Sequence, residues 1–109
     1  MKRTEVFFTA GAERDLQELY DFVAAQDSVA HAERLLDRIE TLVADLSTSP
    51  DRGAHPAELL ALGIRDFRQV VFKPYRVIYR RLGSKVYIYL AADGRRDMST
   101  LLARRLLLG

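Results

Sequence analysis

The chain has 109 residues and a mass of 12.4 kDa, a length typical of one domain, and we expect a single domain over residues 1–109. With 49% hydrophobic and 29% charged residues, the composition excludes a disordered or fibrous chain. Cysteine is absent, which excludes disulfides, thiolate metal sites and a cysteine nucleophile and favours the reducing cytoplasm. No apolar run approaches the roughly 18 residues of a membrane span, so we expect no membrane association.

The net charge of +2 conceals a division along the chain. Residues 1–62 carry six basic against twelve acidic residues, a net −6, whereas residues 63–109 carry eleven against three, a net +8. Such a division indicates either that the second half binds an acidic partner or that the two halves attract each other within one fold.

The first third of the chain predicts a strand and a helix. Residues 2–9 are apolar at their centre and predict a strand. Thr9 is a candidate N-cap, and Glu13 and Asp15 fall in the first turn of the helix, where the macrodipole favours carboxylates. Its apolar stripe is Ala12, Leu16, Leu19, Tyr20 and Val23.

A second helix begins after Asp27 and Ser28, both of which are candidate caps. The spacing of three and four residues predicts a seam of Val29, Ala32, Leu36, Ile39, Val43 and Leu46. Because the link between the helices is so short, the two form an antiparallel hairpin, which we expect to pack on a sheet.

Helix-breaking residues at 47–53 precede the sheet-forming half of the chain. Turns at Lys73-Pro74 and Gly83-Ser84 separate the predicted strands, and Asp97 is a candidate cap for a last helix. The predicted elements are a short helical turn at 57–61, strands at 64–72, 75–82 and 85–91, and a helix at 98–107. The fold prediction is a two-layer α+β domain of order β-α-α-β-β-β with a short C-terminal helix, its helical hairpin packed on an antiparallel sheet.

Catalytic and metal-binding motifs are missing, so we predict no catalytic residue, no metal site and no cofactor. His31 and His55 stand apart from other possible metal ligands, which favours solvated histidines. The first helix carries carboxylates on its expected polar side, and a solvated face explains them. These are Glu13, Asp15, Glu18 and Asp21.

Arginines are the most informative side chains of the second half. Strand alternation places Arg76 and Arg80 on the same face as Ile78, with Val77 and Tyr79 on the other. Arg81, Arg95 and Arg96 add to them, and guanidinium groups bind phosphate or carboxylate through paired hydrogen bonds. We interpret Arg80 and Arg81 as part of a solvated face, and Arg76 and Arg96 as functional.

The chain resembles the RelE/ParE toxin superfamily, and its ParE-like branch in particular, from about residue 4 to residue 106. The resemblance rests on the order and spacing of weak motifs. These are the opening strand, Ala12-x-x-Asp15-Leu16, the helical hairpin, Pro50 with Gly53, Tyr75-Arg76-Val77-Ile78-Tyr79, and Gly94-Arg95-Arg96-Asp97. The sequence departs from the family at Asp93, where many ParE-like chains have histidine.

The resemblance implies a type II toxin that inhibits DNA gyrase by binding and is neutralised by a ParD-like antitoxin, a ribbon-helix-helix protein with a disordered tail. It makes direct nucleic-acid binding unexpected. A RelE-like ribosome-dependent mRNA endonuclease is the first alternative, but the RelE tyrosine position falls near Leu102, which has no acid or base chemistry. The second alternative is an inactive scaffold that only binds the antitoxin.

From the resemblance and the residue types we predict Arg76, Arg95 and Arg96 as target-binding residues. The predicted antitoxin-binding residues are Leu35, Leu42, Tyr75, Tyr79, Arg80 and Leu106. Leu35 and Leu42 lie beside the predicted seam, and we expect some of the apolar surface formed by these two residues and the leucines at 101–108 to stay exposed. An antitoxin helix across the hairpin groove, with a strand added to the sheet, would cover them, and a homodimer is the alternative.

Overall fold

The structure is a computed structural model that describes residues 3–107, so the predicted strand start at Lys2 and the apolar Leu108 lie outside the described residues. Eight helices and strands and one π-helical segment occur within this range. They are β1 (Glu5–Phe8), α1 (Ala10–Gln26), α2 (Val29–Thr48), α3 (Ala57–Leu60), β2 (Arg68–Phe72), β3 (Tyr75–Leu82), β4 (Lys85–Asp93), α4 (Met98–Leu102) and a π-helical C-terminal segment (Ala103–Leu107).

Three predicted N-caps are confirmed. The Thr9 hydroxyl accepts a hydrogen bond from the N–H of Ala12 (3.2 Å), and Ser28 rather than Asp27 caps α2. Asp97 caps α4 by accepting from the N–H of Thr100 (3.2 Å). Each cap satisfies a backbone donor that the first helical turn leaves free, so these side chains fix where the helices begin.

The sheet has the order β1-β4-β3-β2, and β2, β3 and β4 are antiparallel as predicted. The prediction of a wholly antiparallel sheet is wrong for β1, which pairs in parallel with β4. Two parallel neighbouring strands must be joined by a long crossover connection, and the connection from β1 to β4 consists of the helical hairpin, α3, β2 and β3. The predicted strand at 64–72 begins only at Arg68, because the N–H of Ile64 instead bonds the carbonyl of Leu59 and closes the loop after α3.

Both faces of the sheet are covered, rather than the single face of the predicted two-layer arrangement. The hairpin packs on the face that carries Val77 and Tyr79, and α3 and α4 pack on the face that carries Ile78. The predicted alternation along β3 is therefore confirmed. The short helices after the hairpin were predicted, but their placement on the second face requires the long-range contacts of Leu59 and Leu102.

The buried seam of α2 matches the predicted one at Ala32, Ile39 and Leu46 and differs at the positions between them. Leu35 and Leu42 are 5% and 4% exposed and pack in the hairpin core, so the exposed part of the predicted leucine surface lies instead at Leu107, which is 44% exposed. Leu36 and Val43 are instead half-buried beside the core, and Val29 is exposed. Both sets of residues recur at helical spacing, and only the packing against the sheet distinguishes them.

Candidate functional site

A groove of about 500 Å³ lies where α1 crosses the end of β4. Asp93 ends β4, and Arg95 and Arg96 follow it in the turn that precedes α4. The N–H of Gly94 bonds the carbonyl of Pro74 (2.7 Å), which ties this turn to the turn between β2 and β3. The lining residues are Asp15, Glu18, Leu19, Phe22, Tyr75, Ala91, Asp93, Arg95 and Arg96.

One wall of the groove is fixed by an ion pair between Asp15 of α1 and Arg105 of the C-terminal segment. The two guanidinium Nη atoms each donate to one Asp15 carboxylate oxygen at 2.8 Å. Arg105 also donates to the carbonyl of Tyr89, and Asp15 accepts from the N–H of Ala91. β1 pairs with β4 only as far as Ile88, so this ion pair satisfies backbone groups on the edge of β4 beyond that point.

Asp15 is therefore a structural residue, and its interpretation as part of a solvated face is wrong. Its side chain is 11% exposed, and hydrogen bonding to Asp15 raises the pKa of Arg105. A Cβ on Gly11 would lie 3.0 Å from Arg105 Nη1, so glycine at this position leaves room for the guanidinium. Sequence reasoning missed this pair because its members are 90 positions apart.

Arg95 and Arg96 project into solvent at the groove mouth. Arg95 is 80% exposed, and its Nε donates to Asp93 Oδ1 at 2.9 Å. This hydrogen bond holds the pKa of Asp93 below its ordinary value, and Asp93 in turn raises the pKa of Arg95. Among residues 3–107, no carboxylate lies within ion-pair distance of the Arg96 guanidinium.

Arg76, the third predicted target-binding residue, lies outside the groove on the opposite face of the sheet. Its two Nη atoms donate to both Glu58 carboxylate oxygens (2.7 and 2.8 Å), and its Nε donates to Gln69 (2.8 Å). Hydrogen bonding to Arg76 lowers the pKa of Glu58 from 4.5 to about 2. A Cβ on Gly94 would lie 2.8 Å from Arg76 Cδ, so the arginine stem supports the turn that carries Arg95. The Arg76 guanidinium is therefore bonded to side chains of the protein itself.

The predicted antitoxin-binding residues do not form one surface. Tyr79 is fully buried, and its hydroxyl accepts a hydrogen bond from the N–H of Gly53 (3.0 Å). Arg80 lies on the opposite face of the sheet from Tyr75, 3.5 Å from Asp66. Leu106 is half-buried beside α4. With Leu35 and Leu42 also buried, Tyr75 is the member of the predicted set that lines the groove.

A separate apolar groove runs along the outside of the hairpin. It consists of two adjoining hollows of about 370 and 400 Å³, which share Phe8, Leu16 and Leu36. The other lining residues are Glu13, Gln17, Tyr20, Glu33, Ile39, Glu40 and Val43. We refer to it below as the hairpin groove. The sequence predicted a groove on the hairpin lined by Leu35 and Leu42, whereas Leu36 and Val43, each one residue later in α2, line the groove that is observed.

Each of the two histidines bonds an oxygen atom of the protein. The Nδ1 of His55 bonds the carbonyl of Phe67 (3.0 Å), and His31 pairs with Asp27. Within the described residues 3–107, no three histidine, aspartate or glutamate side chains cluster in a way that could hold a metal ion. No helix in that same stretch is long and apolar enough to cross a membrane.

Solved structures show the same fold. A chain of the chromosomal ParDE toxin–antitoxin system from P. aeruginosa is similar with a TM-score of 0.65 and 21% identity, covering 81% of this chain and 92% of that one. A chain of the toxin–antitoxin complex RelBE2 from Mycobacterium tuberculosis has a TM-score of 0.61 and 24% identity, covering 84% and 98%. The fold is thus an α+β fold found in toxin–antitoxin complexes.

Sequence similarity narrows this class to one family. The family described as ParE toxin of type II toxin-antitoxin system, parDE, matches residues 6–98. Toxin ParE3 of Caulobacter vibrioides is 32% identical over 91 residues, which cover 84% of this chain and 87% of that protein. The chain belongs to the ParE toxin family of type II toxin–antitoxin systems, as the sequence motifs predicted.

Proposed function

We propose that this ParE-type toxin acts in the cytoplasm by binding and inhibiting DNA gyrase, without bond chemistry of its own. The observation that carries the proposal is the exposed Arg95–Arg96 pair at the mouth of the groove, on a turn held in place from beneath by Arg76. Such a rigid, positively charged projection suits recognition of a partner surface. The burial of Leu102, near the position of the RelE tyrosine, supports a mechanism without proton transfer.

We further propose that the antitoxin is ParD-like and that one of its helices occupies the hairpin groove. The groove floor is apolar through Leu16, Leu36 and Val43, which suits the apolar face of an amphipathic helix. Its rim carries Glu13, Glu33 and Glu40, so basic residues flanking that apolar face would complement it. β1 and β2 are the sheet edges at which an antitoxin strand could add.

A pair of assays with the purified toxin tests the target. We expect inhibition of supercoiling by gyrase, and intact mRNA on translating ribosomes at the same toxin concentration. Codon-dependent mRNA cleavage with normal supercoiling would instead establish the endonuclease alternative. If neither activity is found while the antitoxin still binds, the chain is the inactive scaffold.

Co-expression with the small protein encoded beside the toxin tests the antitoxin site. Leu36→Glu with Val43→Glu places charges on the groove floor, and we expect this variant to lose the complex in size-exclusion chromatography. Leu62→Glu is the matched control, because Leu62 is 63% exposed and lies outside the hairpin groove. A complex that survives the double substitution would refute this site, and a stable toxin dimer that buries the groove would favour self-association.

A further inference from the structure

Two hollows meet at the end of the molecule where α1 ends and α2 begins. The groove described above is the first, and the second, of about 480 Å³, includes Arg34 and Arg38 of α2. Both hollows are lined by Phe22 and Tyr75, so they form one continuous surface. We call it the arginine–aromatic surface and define it by Phe22, Arg34, Arg38, Tyr75 and Arg96, together with Phe72, which lies beside Arg38 and Tyr75.

On this surface most of the carboxylates have a partner within the protein, whereas several arginines have none among residues 3–107. Of the four lining carboxylates, Asp15 and Asp93 are paired with arginines and Asp27 is bonded to His31, so Glu18 is the one without a bonded basic side chain within the described residues. Three exposed arginines, by contrast, make no side-chain hydrogen bond or ion pair among residues 3–107. They are Arg34, Arg38 and Arg96. The surface therefore retains an excess of guanidinium groups that are available to an anionic ligand.

Aromatic rings lie between these arginines. The Arg38 guanidinium carbon lies 5.0 Å from the centre of the Phe72 ring, and the Phe72 and Tyr75 ring centres are 5.6 Å apart. Phe22 is 64% exposed at the junction of the two hollows, although an apolar ring of this size is ordinarily buried. An exposed phenylalanine beside unpaired arginines provides a stacking face next to phosphate-binding groups.

We propose that the arginine–aromatic surface binds single-stranded nucleic acid, with Arg34, Arg38 and Arg96 contacting phosphates and Phe22 stacking on a base. Acidic side chains of a peptide would bind only the arginines, whereas a nucleotide carries both a phosphate for the arginines and a base that can stack on Phe22. This surface was not expected from the sequence, because its arginines come from two regions that are far apart in the chain. The inference does not depend on the proposed gyrase target, and its test uses the purified toxin without gyrase.

Fluorescence anisotropy with a labelled 20-nucleotide oligothymidylate measures the binding. Single-strand affinity falls with salt by about 0.7 logarithmic units per phosphate contact, so Arg34→Gln with Arg38→Gln should lower the slope by about 1.4. Arg52→Gln with Arg81→Gln removes the same charge from two other partly exposed arginines, which are paired with Asp45 and Asp51. This control should keep the wild-type slope, provided that circular dichroism shows both variants folded.

The stacking contact is tested separately from the charges. Phe22→Ala removes the aromatic face on which a base would stack, so it should weaken binding about tenfold at constant salt. Leu62→Ala is the control, because Leu62 is equally exposed away from this surface. Glu18→Gln should strengthen binding about twofold to threefold, because it removes the unpaired carboxylate from the groove.

Competing ligands decide whether the site is specific for single strands. Unlabelled oligouridylate and oligothymidylate should both displace the probe, whereas duplex DNA and polyglutamate of equal charge should compete at least tenfold more weakly. Equal competition by polyglutamate together with no effect of Phe22→Ala would show a general anion-binding surface and overturn the proposal. Absence of oligothymidylate binding at low salt, or an equal loss in the Arg52/Arg81 control, would also overturn it.

Discussion

Two pairs of arginines in the same half of the chain have opposite environments. Arg76 and Arg105 each donate two parallel hydrogen bonds to a carboxylate on another element, Glu58 and Asp15 respectively. Arg95 instead bonds the carboxylate of Asp93, two residues before it at the end of β4, and Arg96 has no ion-pair partner among residues 3–107. All four residues are arginines, but their burial and their partners differ. Arg76 and Arg105 stabilise the fold, whereas Arg95 and Arg96 are available to a ligand.

The comparison also shows how the two kinds of arginine depend on each other. Arg105 holds the C-terminal segment against α1 and β4, and Arg76 supports Gly94. The Arg76 contact lies within the turn that presents Arg95 and Arg96, and the Arg105–Asp15 pair forms a wall of the groove that these two arginines line. The internal arginines therefore stabilise the groove and the turn from which the exposed arginines project. Substitutions should separate the two groups by their effects on stability.

The largest effect is expected for Asp15→Ala. This change leaves the Arg105 guanidinium without its carboxylate and the N–H of Ala91 without an acceptor. Removing one member of a largely buried ion pair is strongly destabilising, and we expect a loss of about 3 kcal/mol in the free energy of unfolding, measured with urea. Asp21→Ala on the exposed face of α1 is the control and should leave the urea midpoint unchanged. Equal urea midpoints for the two variants would show that Asp15 is a solvated carboxylate that does not stabilise the fold.

Arg76→Ala should have the next largest effect, a loss of about 2 kcal/mol. Two charge-assisted hydrogen bonds to Glu58 and one hydrogen bond to Gln69 disappear, but no backbone N–H loses its acceptor, as happens in Asp15→Ala. Arg80→Ala is the control, because its contact with Asp66 is longer and more exposed. A stable Arg76→Ala variant that loses gyrase inhibition would instead make Arg76 a direct target contact.

The Glu58–Arg76 pair also predicts a pH dependence. The pKa of Glu58 is about 2 in the folded chain and 4.5 ordinarily, so its contribution to stability is complete above pH 4.5 and is lost as the pH falls towards 2. A quarter of the Glu58 side chain is exposed, which reduces the expected loss to about 1.5 kcal/mol. Glu58→Gln should lack this contribution, so urea titrations of the two proteins should converge in acid. Parallel pH profiles would contradict the prediction.

The sequence was sufficient for most of the local structure. Thr9, Ser28 and Asp97 marked helix starts because caps use side chains next to the helix they begin. The hairpin turn at Gly83 was also recognisable, since its positive φ of 63° favours glycine. Signals of this kind lie within a few residues of the structure that they specify.

Sequence reasoning failed where distant residues decide the environment. Leu35 and Leu36 both satisfy a helical apolar pattern, and only docking on the sheet determines which of them is buried. Asp15 and Arg76 are charged residues whose partners cannot be found from spacing. The family resemblance located the Arg95–Arg96 turn, but it could not distinguish these exposed arginines from the internally bonded Arg76.

The smallest effect on stability is expected for the double substitution Arg95→Ala with Arg96→Ala. Both side chains are exposed, and the Arg95 side chain bonds only Asp93, two residues before it, so the urea midpoint should stay at the wild-type value. The same variant should inhibit gyrase supercoiling at least tenfold less well, whereas Arg52→Ala with Arg81→Ala, a matched loss of two paired and partly exposed arginines, should inhibit normally. An unfolded Arg95/Arg96 variant would show that the turn contributes to the fold. If the variant folds and still inhibits gyrase fully, Arg95 and Arg96 do not contact the target, because recognition would then not require their charge at the groove mouth.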